Sequence, residues 1–93
     1  MNLSQYSSNL TKHALKRKSE RGFSNKAIEL LLKNCKEKKQ KGGSSIIHFN
    51  KNGKKIASQH GINPRMFLVF NLKNHRILTI CHGYDNYGLK NYN

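Results

Sequence analysis

Apolar positions along the chain come in two rhythms. From Leu10 to Cys35 they recur at three and four, and from Ile46 to His82 they fall in short runs broken by Gly, Asn and Lys. The first rhythm predicts helices. Thr11 is a good N-cap, Leu10 and Leu15 sit at the N′ and N4 spacing of a hydrophobic staple, and Gly22 is a natural residue just past the helix end. Ser24 caps a second helix, in which Ala27, Ile28, Leu31, Leu32 and Cys35 form one apolar stripe. Residues 1–10 are polar and read as a loose arm, with Leu10 its first buried side chain.

The second rhythm predicts strands. KEKKQKGGSS (36–45) reads as a turn, a lysine run closed by a glycine pair. IIHF (46–49) follows as a strand, and NKNGKK as a turn centred on Asn52-Gly53. KIASQH (55–60) reads as a weaker edge strand, and GINPR as a loop fixed by Pro64. MFLVFNL (66–72) is the central strand and ILTICH (77–82) its partner across the KNHR turn. The expectation is one α+β domain over residues 1–93, with two helices (11–35) packed on a three- to four-stranded antiparallel sheet (45–82) and a tail (83–93) rich in Tyr, Asn and Gly.

Charge changes what such a domain is for. Among 93 residues, Lys plus Arg number 18 and Asp plus Glu only 4, a formal charge of +14. An excess of that size on a small surface points to a polyanion, with nucleic acid first. No run of 18 apolar residues exists to span a membrane. The opening MNLSQYSSNLTK lacks the apolar core of a secretory signal, which points to the cytoplasm. Cys35 and Cys81 show neither CxxC nor zinc spacing, and are expected as thiols.

Candidate chemistry centres on the histidines. His13, Arg17 and Arg21 are four apart, hence neighbours along one face of the first helix. The helix dipole disfavours imidazolium at His13, so a basic imidazole would stand beside guanidiniums able to grip a phosphate. Set against this is a plain solvated basic face, to which Lys12 and Lys16 also belong. His82 ends the last strand before Gly83, Tyr84 and Asp85. Tyr84 can stack on a base, and Asp85 can orient a histidine. Strict alternation puts His82 with Leu78 and Ile80, so a histidine at the rim of the core is the plain alternative. His60 precedes a glycine loop and can face the same cleft, with Arg65 nearby. His75 is expected in a turn, and His48 in a strand between Ile47 and Phe49. No His pair has a preformed metal spacing, and carboxylates are scarce, so no metal or other cofactor is expected. Cys81 and His82, as strand neighbours, point to opposite faces, which argues against a Cys–His nucleophile. Gly42-Gly43-Ser44-Ser45 lacks the P-loop frame.

The stretch from Thr11 to Leu32 resembles a small bacterial family with the pattern H-A-x-x-[KR]-x-x-x-R-G-[IF]-S, matched by His13, Ala14, Arg17, Arg21, Gly22, Phe23 and Ser24. That family is similar to the RelE/ParE toxins and to the wider group of barnase, EndoU, colicin and RelE ribonucleases. The resemblance runs over most of residues 10–84, although its later part is architectural only. It implies a RelE-like fold, with a His or Tyr at the end of the last strand in catalysis, the places of His82 and Tyr84. One departure is plain: no mid-sheet acid is present as a general base. ParE toxins act on gyrase, so fold alone does not give activity.

The leading expectation is a basic, metal-independent endoribonuclease toxin. His13 and His82 would share the acid and base roles and Arg17 would hold the phosphate. Arg21, Lys12, Lys16, His60 and Arg65 would bind RNA, and an acidic antitoxin or immunity protein would neutralise it. The alternatives are a non-catalytic nucleic-acid-binding protein and a phage-type inhibitor that covers an acidic or guide-binding surface of another protein.

Overall fold

A computed structural model describes residues 2–83. Their order is a single 3₁₀ turn (Ser4–Tyr6), α1 (Lys12–Glu20), α2 (Asn25–Lys33), β1 (Cys35–Lys39), β2 (Ser44–Phe49), α3 (Lys51–Gln59), β3 (Phe67–Asn71) and β4 (Arg76–Cys81). The strands form one antiparallel sheet in the order β1-β2-β3-β4. The class is α+β as expected, with three helices instead of two.

The N-terminal helices start and stop where their caps dictate. The Thr11 and Ser24 hydroxyls accept the Ala14 and Ala27 N–H groups at 3.1 and 3.0 Å. Gly22 turns with φ 69°, and the Phe23 N–H reaches back to the Lys18 carbonyl at 3.0 Å, closing α1 in a Schellman turn. Leu15 is 52 % exposed, so the expected staple onto Leu10 does not bury it.

Three local expectations give way to tertiary structure. The 36–45 segment is not all turn. Residues 35–39 pair with β2 as an edge strand, and the reversal is confined to residues 40–43, where Gly42 and Gly43 both have φ near +85°. Cys35 therefore begins β1 and does not end the α2 stripe. Lysines on an edge strand are common, and pairing with a strongly apolar neighbour overrides their weak β preference. The second correction is α3, which replaces both the Asn52-Gly53 turn and the 55–60 strand. Asn50 is the real punctuation: its Oδ1 accepts the Gly53 N–H at 2.7 Å and caps a helix whose inner side carries Gly53 and Ala57, four apart.

The third correction concerns residues 1–10. Leu10 bridges to Ile77, and the Ile77 N–H and carbonyl bond Asn9 and Thr11 at 2.7 and 3.0 Å. Tyr6 stacks on His75, their ring centroids 4.8 Å apart. Residues 2–10 flank the sheet instead of forming a loose arm.

One face of the sheet carries the main core. Ile47, Phe49, Leu68, Phe70, Ile77 and Ile80 pack under Ala14, Phe23, Ala27, Ile28, Leu31, Leu32 and Ala57. Ile77 and Ile80 share this face because a bulge opposite Val69/Phe70 adds Leu78 to β4. This breaks the strict alternation expected for residues 78–82. The Leu78 carbonyl accepts the Thr11 hydroxyl at 3.1 Å, so one side chain both caps α1 and ties it to the bulge. Thr11→Val removes both bonds while keeping the shape. It is expected to cost about 1–2 kcal/mol in urea unfolding, against about 1 kcal/mol for Ser24→Ala, which loses a cap alone.

The opposite face carries a smaller cluster of Ile46, Phe67 and Cys81. Lys36, Lys38 and His48 share it by register, since Lys36 pairs with His48, His48 with Phe67, and Phe67 with Cys81. No helix among the described residues is long and apolar enough to cross a membrane.

Candidate nucleic-acid interface

The second face holds a concavity of about 330 Å³ lined by Lys38, Ile46, His48, Lys54, Pro64, Arg65, Phe67 and Gly83. Each wall has a separate origin. Lys38 and His48 come from adjacent strands on the same face. Lys54 comes from the first half of α3, and Arg65 from the loop that returns the chain to β3. Ile46 and Phe67 supply an apolar floor. The loop is held by Asn63, whose side-chain Oδ1 accepts the Arg65 N–H at 3.0 Å and whose carbonyl accepts the Met66 N–H at 3.1 Å. Gly83 lies so close to Arg65 that a Cβ there would meet the Arg65 carbonyl oxygen at 1.9 Å. A second, more open groove of about 530 Å³, lined by Lys54, Lys55, Ser58, Gln59, Pro64 and Arg65, adjoins the first and shares Lys54, Pro64 and Arg65 with it.

No described lining residue of either groove is acidic. Glu37 is on β1 itself, but it shares the helix-covered face, where its carboxylate accepts the Ser45 hydroxyl at 2.8 Å. Glu29 pairs with Lys33 at 3.0 Å on α2, and Glu20 lies 3.8 Å from Arg17 on α1. Among the described residues, no carboxylate neutralises the positive charge in the grooves. Partial burial holds the His48 imidazole below its ordinary pKa, and Lys54, Lys36 and Lys38 add to that effect against an opposing backbone hydrogen bond at Phe49. The net effect favours the neutral imidazole.

The residues favoured by sequence are not gathered in one place. His13, Lys12 and Lys16 are exposed on α1, and Arg17 and Arg21 are half-buried further along it. His82 stacks on Phe23 with ring centroids 4.3 Å apart, just past the far end of α1. His13 and Glu20 are seven positions apart, about 10 Å of helix rise, so His13 and His82 stand at opposite ends of the helix. His60 ends α3, is exposed and lines neither groove. Arg65 lines both. Tyr84 and Asp85 lie outside the described residues, as do Tyr87 and Tyr92.

The sequence expectation gave His48 a strand place but no role, counted Lys38 only within the 36–41 lysine run as a solvated turn with phosphate contact as a second use, and left Lys54 out. The available signal was the alternation in β2, which sets His48 with Ile46 and apart from Ile47 and Phe49. Neither cysteine fits a nucleophile's place: both are buried, and burial pushes the Cys35 thiol up. Among the described residues no group of three or more His, Cys, Asp or Glu side chains is placed to hold a metal ion. Comparison with protein-family models, with curated proteins and with solved structures finds no match to this chain.

Proposed function

We propose that the protein binds RNA, gripping a single strand by its phosphates in the two joined grooves of the second sheet face. The observation that carries this reading is the concavity itself. Lys38, Lys54 and Arg65 converge on an apolar floor with no described acidic neighbour to neutralise them. Its volume lies near the lower end of the range for small-ligand sites, roughly 300–1,000 Å³. That gives room for one unstacked nucleotide, whereas a duplex keeps its bases inside. The adjoining groove continues past Lys54 and Arg65 to Lys55 and suits the next phosphates along a strand. The surplus of 18 basic over 4 acidic residues steers the strand in. The preference for RNA over DNA rests on the His13–Ser24 resemblance to RelE-like ribonucleases. In that setting an acidic antitoxin-like protein is the fitting natural partner.

Fluorescence anisotropy with a labelled single-stranded RNA tests the reading. Four engaged cations predict that log K falls with log salt at a slope of about −3. A hairpin duplex of equal length is expected to bind more weakly. A slope near zero, or no binding at low salt, overturns the proposal and favours a protein partner.

A further inference from the structure

We propose that the concavity is also a reacting centre that cleaves single-stranded RNA without a metal, with His48 as the general base and Lys54 and Arg65 holding the phosphate that reacts. The inference rests on the binding reading above and adds chemistry to it.

Cleavage of RNA at its own 2′-hydroxyl makes three demands. A neutral base must take the 2′-hydroxyl proton. Fixed positive charge must meet the extra negative charge on the phosphorane. A donor must protonate the departing 5′-oxygen. His48 shares the concavity with Lys38, Lys54 and Arg65, so the base and the positive charge stand around one small volume. The charged groups around it are all cationic among the described residues: Lys36 and Lys38 from β1, Lys54 from α3 and Arg65 from the β3 approach, while β3 itself presents the apolar Phe67. Partial burial, with these lysines adding to it, favours the unprotonated imidazole that can accept a proton, and the same cations attract the phosphate. A carboxylate there would undo both effects; among the described residues none lines the concavity, and Glu37 of β1 faces the other side of the sheet.

The step balances without a co-reactant. The 2′-oxygen forms a bond to phosphorus as the bond from phosphorus to the 5′-oxygen breaks. The 2′-hydroxyl proton goes to His48, and the Lys54 ammonium gives a proton to the 5′-oxygen. Solvent then returns the proton from His48 to Lys54. The products are a 2′,3′-cyclic phosphate and a 5′-hydroxyl. The guanidinium of Arg65 stays charged throughout and clamps the non-bridging oxygens.

The test pairs cleavage with binding. Purified protein is incubated in EDTA with a single-stranded RNA, and binding is followed separately on the 2′-O-methyl oligonucleotide of the same sequence, which cannot be cut this way. The expected result is RNA cut to cyclic-phosphate ends. His48→Ala and His48→Gln are expected to lower the rate at least 100-fold, with binding of the 2′-O-methyl strand changed by less than about threefold, within the reach of one lost neutral contact. The wild-type rate should rise from acid pH to a plateau, its limb lying below the ordinary histidine pKa of about 6.5. Binding without cleavage overturns this inference and leaves the binding reading standing. Absence of binding overturns both. A rate equal to wild type in both His48 variants, or a rate flat between pH 5 and 8, assigns any cleavage to another centre.

Discussion

Gly53→Ala is expected to destabilise the protein by about 2–3 kcal/mol, although alanine is the better helix former by about 1 kcal/mol. The sign is reversed by where α3 lies. A Cβ on Gly53 would come within 2.6 Å of the Asn34 carbonyl oxygen, 2.8 Å of the Asn34 Cβ and 2.8 Å of a Phe49 ring carbon. Two of these neighbours cannot step aside. The Asn34 carbonyl is held by the Asn50 N–H at 2.9 Å, and Phe49 is buried in the main core. Relief therefore requires α3 to move off α2 and β2, with loss of contact around Ala57. Thermal unfolding should show a fall of about 10–20 °C for a domain of this size. Ser58→Ala, on the exposed side of the same helix, should stay within about 0.5 kcal/mol of wild type. A neutral Gly53→Ala would mean that α3 does not sit this close to Asn34.

The second large effect concerns RNA affinity. Lys54→Ala combined with Arg65→Ala removes the two cations common to both grooves. Binding of single-stranded RNA at low salt is expected to weaken by about 30- to 100-fold, on the basis of about 1 kcal/mol or slightly more for each charged contact. The salt slope should become shallower by about 1.4, which is 0.7 for each phosphate released on a single strand. The control is Lys26→Ala with Lys33→Ala, which removes the same charge from α2, away from either groove. If net charge alone governed binding, the two double variants would weaken it alike. A site at Lys54 and Arg65 makes the first much weaker than the second.

The legible and illegible parts of this chain divide along a physical line. Thr11, Gly22 and Ser24 act on their own neighbours, so the two N-terminal helices could be placed from local chemistry alone. The runs 46–49, 66–72 and 77–82 were legible because their apolar content admits few uses other than buried strands. β1 was not legible, since CKEKK has one apolar residue and becomes a strand only because β2 pairs with it. At α3, Asn52-Gly53 resembled a hairpin turn, whereas the deciding residues were Asn50 as a cap and Gly53 as a point of close packing. The candidate site inherited both errors. Lys38 lies on the missed strand and Lys54 on the missed helix, so His48 had no visible partners. Arg65 was named among the RNA-binding residues, and it is the one of them that lines both grooves. His13 and His82 were favoured by motif and position, and the helix between them keeps them apart.

The edges of the sheet bear on how this protein keeps to itself. Residues 9–11 run beside β4, which leaves β1 as the long open edge among the described residues. That edge is lined by Lys36, Lys38 and Lys39. Two copies approaching rim to rim would bring these three lysines of each together along much of the line of would-be backbone bonds, a barrier to growth of a shared sheet. The barrier is purely coulombic and fades as ions screen it. Under the proposed RNA-binding reading, ionic strength would act on this molecule in opposite directions: conditions that release RNA would also lower its resistance to self-association, and a bound strand or an acidic partner lying across β1 would cover the rim while it neutralises it.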